Sequence, residues 1–67
     1  MNFYNVNSTD LKAIAINGNN LVIVFNSGST YEYVNAAKEF NNLLNASSKG
    51  TYFNEFIKNN YEYHNIS

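Results

Sequence analysis

The spacing of hydrophobic residues changes once along the chain, from the alternation of strands to the period of helices. Residues 10–17, Leu21–Phe25 and Ser29–Val34 are predicted to form three strands. Two tight turns rich in Asn and Gly, at residues 17–20 and 26–28, separate them, because these residue types tolerate positive φ angles. The pattern therefore predicts a three-stranded antiparallel β-meander.

Two helices are predicted after the strands. Asn35 is placed to cap the first helix, in which Phe40, Leu43 and Leu44 recur at helical spacing. A second helix begins near Thr51, and its apolar stripe contains Phe53, Phe56, Ile57 and Tyr61. Residues 1–8 are interpreted as a polar lead-in and residues 62–67 as a frayed tail. The predicted class is α+β with the order β-β-β-α-α, in a single domain over residues 1–67 with a core of about 8–61.

The central strand is apolar on both faces. Leu21, Ile23 and Phe25 share one face, whereas Val22 and Val24 share the other. Two short helices cover one face only, so we expect Val22 and Val24 to form an interface between copies of the chain in a homo-oligomer. The alternative is that a helix wraps round to cover them. A chain of 67 residues without cysteine and with a single histidine has neither disulfides nor a zinc site as a brace, which favours self-association.

The charge composition limits the classes of ligand. The net charge is −1, and the basic residues are four lysines without any arginine. Such a chain is poorly equipped to follow a nucleic-acid duplex, whose binding relies on many basic contacts to phosphate. We see no signal peptide and no apolar run of the roughly 20 residues that cross a membrane, so we expect a cytoplasmic protein without membrane contact. Abundant asparagine and the lack of proline suggest an AT-rich genome, such as that of a low-GC bacterium or its phage.

Two segments carry a more specific pattern. Residues 25–33 read FNSGSTYEY, and residues 46–54 read ASSKGTYFN. Together they resemble the KTSC domain, a family found at the C-terminal end of some lysyl-tRNA synthetases and as free-standing small proteins. Tyr31 and Tyr33 match the family's Tyr-x-Tyr strand end. Its Ser-Lys-Gly-x-Tyr/Phe-Asn segment is matched by Ser48, Lys49, Gly50, Tyr52, Phe53 and Asn54.

The resemblance covers roughly residues 8–61. The chain departs from it at residues 34–37, which read VNAA where the family commonly reads Gly-Val-Pro. RNA binding has been suggested for the family from the synthetase context, and the resemblance implies it here only by analogy.

A candidate anion site precedes the predicted second helix and contains Ser47, Ser48, Lys49, Gly50 and Thr51. Free backbone N–H groups, the helix dipole, hydroxyl donors and a lysine all favour a phosphate or carboxylate there, and glycine permits close approach. The alternative is structural. Gly50 then forms a tight corner, Ser48 or Thr51 caps the helix, and the lysine is solvated.

A candidate stacking platform consists of Tyr31, Tyr33 and Tyr52, since the first two share a strand face. The alternative is that the strand tyrosines pack under the first helix with their hydroxyls bonded. Asn54 and Lys58 lie one helical turn apart and extend the site, or else they form a solvated helix face. No role is expected for His64.

The sequence shows no catalytic constellation, because it lacks a cysteine nucleophile, a serine with an evident base and a carboxylate pair. We therefore expect a non-enzymatic binding module without a cofactor. Its expected ligand is a phosphate-bearing nucleotide or short single strand, as for a phage protein that sequesters a host signalling nucleotide. The alternatives are an RNA-binding accessory domain and a protein-interaction module or inhibitor of a host protein.

Overall fold

A computed structural model describes residues 1–67, and its strands form one antiparallel sheet in the order β1-β2-β3-β4-β5. The strands are β1 (Tyr4–Asn5), β2 (Leu11–Asn17), β3 (Asn20–Phe25), β4 (Thr30–Tyr33) and β5 (Tyr63–Asn65). The three predicted strands are the centre of this sheet. The prediction understated the strand count, because a further strand pairs with each side of the meander.

The two added strands come from the segments interpreted as lead-in and tail. β1 pairs Tyr4 with Ile14, and β5 pairs Tyr63 with Tyr33. Strands of two and three residues are too short to show an alternating pattern, so the sequence carried no periodic signal for them. They form only because longer strands offer unpaired edges beside them.

The predicted turns are confirmed. Asn17 pairs with Asn20, so Gly18 and Asn19 form a two-residue hairpin loop in which Gly18 has a φ of 62°. A glycine with positive φ at the first loop position fits the right-handed twist of the flanking strands. Gly28, in the turn between β3 and β4, has a φ of 99°.

The helical part is shorter and less regular than predicted. A 3₁₀ turn at Ala37–Glu39 leads into α1 (Phe40–Asn45). α2 (Lys49–Tyr52) continues as a π-helical segment, Phe53–Ile57, in which the N–H of Lys58 donates to the Phe53 carbonyl at 2.9 Å. Two helices and a sheet of five antiparallel strands confirm the α+β class.

The predicted cap at Asn35 is wrong. The residue before the 3₁₀ turn is Ala36, which makes no side-chain cap. Asn35 instead adopts a left-handed conformation with a φ of 61°, which asparagine tolerates better than most residues. Its backbone N–H donates to Oδ1 of Asn20 at 2.9 Å, so it joins the helical part to the β2–β3 hairpin.

The main core lies between one face of the sheet and the helices. It contains ten buried residues: Leu11, Ile14, Leu21, Ile23, Tyr33, Ala36, Phe40, Leu43, Phe53 and Ile57. Most strand and helix members of this set are apolar positions of the two periodic patterns in the sequence. Phe56, which was predicted to lie in the apolar stripe of the second helix, is 48% exposed instead.

The opposite face of the sheet carries Val22 and Val24, which were predicted to form an interface between copies of the chain. Ala15, Val22 and Glu32 lie in one cross-strand row, and Val22 is 0% exposed within the single chain. Asn17 and Asn20 each donate a side-chain N–H to Oε2 of Glu32, at 3.0 and 2.9 Å, at one end of this face. Val22 therefore has no accessible surface for a second copy, which corrects its assignment as an interface residue.

Val24 is half-buried and retains some accessible surface on this face. Self-association through it stays a prediction. No helix of the chain has the length and apolar character needed to cross a membrane.

Candidate functional site

The larger of two neighbouring clefts, here called the aromatic cleft, has a volume of about 750 Å³. It opens between the β3–β4 turn, β5 and the π-helical segment. Its lining residues are Thr9, Asp10, Phe25, Asn26, Ser27, Ser29, Tyr31, Tyr33, Phe53, Asn54, Lys58, Asn59 and Tyr63. Four of the predicted site residues, Tyr31, Tyr33, Asn54 and Lys58, are thus brought together.

Three tyrosine rings from adjacent strands form the aromatic wall of this cleft. The Tyr63 ring centroid lies 5.3 Å from that of Tyr31 and 5.5 Å from that of Tyr33. Tyr33 is 2% exposed and belongs to the core, whereas Tyr63 is 54% exposed and Tyr31 is half-buried. Tyr31 and Tyr63 are therefore the rings that a ligand can reach, whereas Tyr33 is a core residue.

Tyr63 was missed by sequence reasoning, which placed it in a frayed tail. The signal that finds it is the register of β5, which pairs Tyr63 with Tyr33 and Asn65 with Tyr31. That register exists only in the folded sheet, so no local pattern reveals it.

Burial controls the ionisation of the innermost phenol. Burial, together with the neighbouring phenols of Tyr63 and Tyr31, raises the pKa of Tyr33 to about 12. Its hydroxyl therefore stays protonated to a higher pH than that of an ordinary tyrosine.

The smaller cleft, here called the polar cleft, has a volume of about 430 Å³ and no hydrophobic residue in its lining. It is lined by Asn7, Ser8, Thr9, Asp10, Ser47, Ser48, Lys49, Gly50, Thr51 and Asn54. All five residues of the predicted anion site lie here. Thr9, Asp10 and Asn54 line both clefts, so the two are continuous at these residues.

Part of the predicted anion site is engaged within the chain. The Ser48 hydroxyl oxygen accepts the N–H of Thr51 at 3.3 Å and its proton is donated to Thr51 Oγ1 at 2.9 Å, so Ser48 caps α2. Lys49 Nζ donates to the Ala46 carbonyl at 3.0 Å, at the C-terminal end of α1. An anion in the polar cleft would have to compete with these bonds.

Packing against Asp10 explains why residue 50 is a glycine, which was not evident from the sequence. A Cβ at this position would lie 2.6 Å from Oδ2 of Asp10, which is closer than real Cβ atoms approach other heavy atoms. The missing side chain thus leaves room for a carboxylate at the junction of the clefts. Asp10 was not among the predicted site residues, and its negative charge disfavours a phosphate in its immediate neighbourhood.

Tyr52 does not join the other tyrosines, which corrects its place in the stacking platform. Its hydroxyl donates to Oε1 of Glu39 at 2.6 Å, and its ring centroid lies 4.6 Å from that of Phe56. Tyr61 donates to the other carboxylate oxygen of Glu39 at 2.7 Å. These bonds tie α2 and the chain before β5 to the 3₁₀ turn, so the role of Tyr52 is structural.

The ionisation of this Glu39 cluster follows from its hydrogen bonds. The bond from Tyr52, with a further bond from Tyr61, holds the pKa of Glu39 below its ordinary value although burial opposes the shift. The carboxylate in turn raises the pKa of Tyr61 to about 12 and also raises that of Tyr52. The cluster therefore consists of one carboxylate and two neutral phenols at neutral pH.

The fold and the clefts define a small α+β domain whose accessible chemistry is an aromatic wall with an amide, hydroxyl and lysine rim. No group of three His, Cys, Asp or Glu residues is placed to hold a metal ion. The chain belongs to the KTSC domain family, whose model matches residues 7–61, and this confirms the resemblance seen in the sequence. No curated protein sequence matches the chain.

Proposed function

We propose that this domain is a non-enzymatic binding module that holds a phosphate-bearing, nucleotide-type ligand in the aromatic cleft. The observation that carries the proposal is that the accessible rings of Tyr31 and Tyr63 line the same cleft as the exposed Lys58. A flat ring system and a cation in one cleft suit a ligand that joins an aromatic base to an anion.

The base would stack on the tyrosine wall. A volume of about 750 Å³ falls in the range of roughly 300–1,000 Å³ that is typical of small-molecule sites. Stacking of a base on an aromatic side chain contributes about 1–3 kcal/mol. Tyr63 is the better platform of the two, because more of its ring is accessible than that of the half-buried Tyr31.

The phosphate would contact Lys58 in preference to Lys49. Lys58 is exposed on the rim of the aromatic cleft, whereas Lys49 is half-buried and bonded to the Ala46 carbonyl. A net charge of −1 and the lack of arginine favour a mononucleotide or a short single strand over a duplex.

The test is isothermal titration calorimetry with the four ribonucleoside monophosphates, using wild-type protein, Tyr63→Ala, Lys58→Ala and Lys12→Ala. Lys12 lines neither cleft, so its variant matches the charge change of Lys58→Ala without touching the site. At a temperature where circular dichroism shows the variant to be folded, we expect Tyr63→Ala to weaken binding roughly 5- to 150-fold, which corresponds to the stacking energy of one base. Lys58→Ala should weaken binding and Lys12→Ala should not.

The absence of binding by every nucleotide at millimolar concentration would exclude the proposal. Equal losses in the two lysine variants would exclude the assigned phosphate contact.

A short single-stranded RNA is the second candidate, because the polar cleft continues the aromatic cleft through Thr9, Asp10 and Asn54. A strand of two or three nucleotides would then extend towards Lys49. This second candidate predicts that a trinucleotide binds more tightly than a mononucleotide. It also predicts that the affinity for the trinucleotide falls more steeply with salt concentration. Equal affinities and equal salt slopes would leave the mononucleotide as the ligand.

A further inference from the structure

We infer that Asp10 makes the aromatic cleft selective for guanine over the other bases, an inference that rests on the proposed function. Asp10 lines both clefts, and it lines the aromatic cleft together with Tyr31, Tyr63 and Lys58. The cleft thus combines a stacking wall with one carboxylate and one ammonium group.

The position of Asp10 is fixed by its backbone. Its N–H donates to Oγ of Ser8 at 3.2 Å, and its carbonyl accepts the N–H of Asn26 at 2.9 Å. Asn26 also donates its side-chain N–H to the Ser8 carbonyl at 3.0 Å. The two bonds from Asn26 join the segment before β2 to the β3–β4 turn, and the bond to Ser8 holds Asp10 within its own segment.

The carboxylate itself is available to a ligand. The side chain is exposed, and the hydrogen bonds of Asp10 within the chain use only its backbone groups. A Cβ at Gly50 would lie 2.6 Å from Oδ2, so the carboxylate packs closely against Gly50, and this contact limits the direction of the side chain. A positioned carboxylate without an internal partner is an acceptor for hydrogen-bond donors that enter the cleft.

Guanine fits this acceptor better than the other bases do. An ionised carboxylate only accepts hydrogen bonds, and its two oxygens can accept two parallel bonds. Guanine has two adjacent donors on its Watson–Crick edge, at N1 and N2. Adenine and cytosine place a ring-nitrogen acceptor beside their amino group, and uracil has one donor between two carbonyls, so each would set a lone pair against the carboxylate.

The opposite charges of the cleft fit the same ligand. A guanine nucleotide carries hydrogen-bond donors on the base and negative charge on the phosphate, which correspond to Asp10 and Lys58. The carboxylate also opposes a phosphate placed at the base end, so it favours one orientation of the ligand.

The experiment compares GMP, IMP and AMP by calorimetry on wild-type protein, Asp10→Asn and Glu55→Gln. IMP lacks the N2 amino group, and Glu55 is an exposed carboxylate that lines neither cleft. We expect wild-type protein to bind GMP at least about tenfold more tightly than AMP, with IMP between them, as the loss of charge-assisted hydrogen bonds implies. Asp10→Asn should weaken GMP binding by about tenfold or more and leave AMP binding unchanged or tighter, because an amide offers adenine both a donor and an acceptor. Glu55→Gln should change neither.

Two results would overturn the inference in distinguishable ways. Equal affinity for GMP and AMP, with both lost in Tyr63→Ala, would leave the nucleotide-binding proposal standing and remove the role of Asp10. No binding of any of the three nucleotides would remove both. The variant should fold, since the Asp10 side chain makes no bond within the chain, and circular dichroism with urea unfolding checks that it does.

Discussion

Replacing Tyr63 with alanine tests whether the last residues of the chain form an edge strand. Tyr63 contacts two rings, those of Tyr31 and Tyr33, with centroids 5.3 and 5.5 Å away. Tyr4, on the opposite edge strand, has almost the same exposure, 52% against 54%, but its one ring partner is Phe40 at 5.4 Å. The two tyrosines thus differ mainly in the number of their aromatic contacts.

The expected loss can be worked from these contacts. A tyrosine that is about half-exposed buries on the order of 100 Å² of surface, which corresponds to at most about 2 kcal/mol in either variant. Each aromatic pair adds about 0.5–1.5 kcal/mol. The two pairs of Tyr63 together contribute about 1–3 kcal/mol, so Tyr63→Ala should lower the free energy of unfolding by up to about 5 kcal/mol. The loss in Tyr63→Ala should exceed the loss in Tyr4→Ala by about the contribution of one aromatic pair, 0.5–1.5 kcal/mol.

Urea unfolding followed by far-ultraviolet circular dichroism measures both variants against the wild type. A chain of this length has a total stability of about 3–10 kcal/mol, so the predicted loss is large enough to be resolved. A loss below about 0.3 kcal/mol in Tyr63→Ala would mean that the segment after residue 61 is frayed, and it would refute the pairing of β5 with β4.

Two further predictions concern pH. Because the folded state raises the pKa of Tyr33 to about 12, the contribution of this residue to the free energy of unfolding is fully present below pH 10 and is lost as the pH rises towards 12. We expect the free energy of unfolding of the wild type, measured with urea, to fall by of order 1–2 kcal/mol between pH 9 and pH 12. It should fall by less in Tyr33→Phe. An equal fall in the wild type and the variant would contradict this cause. The lowered pKa of Glu39 has the opposite sign, so its contribution is present above pH 4.5 and is lost as the pH falls further. Glu39→Gln should therefore cost about 1 kcal/mol at pH 7 and progressively less as the pH falls below 4.5. A cost that does not change with pH would rule out the charged hydrogen bonds as its source.

The candidate site was predictable where its residues follow one another in the chain. Residues 47–51 lie together in the polar cleft because they are consecutive, and Tyr31 and Tyr33 share a strand face because side chains alternate. Tyr52 was misplaced because its direction depends on Glu39, which is 13 residues away and carried no pairing signal. Tyr63 and Asp10 were missed because they enter the site through strand register and through the packing of Asp10 against Gly50.

The sequence by itself determined the α+β class, the central meander with its Gly18 turn, and the membership of the KTSC family. These features depend on local preferences: the alternation of side chains, the need for positive φ, and the spacing of short motifs. Only the tertiary structure decided the two edge strands, the burial of Val22 and the meeting of Asp10, Lys58 and Tyr63 in one cleft. Each of these depends on contacts between residues far apart in the chain, which form only once the sheet gives short segments an edge to pair with.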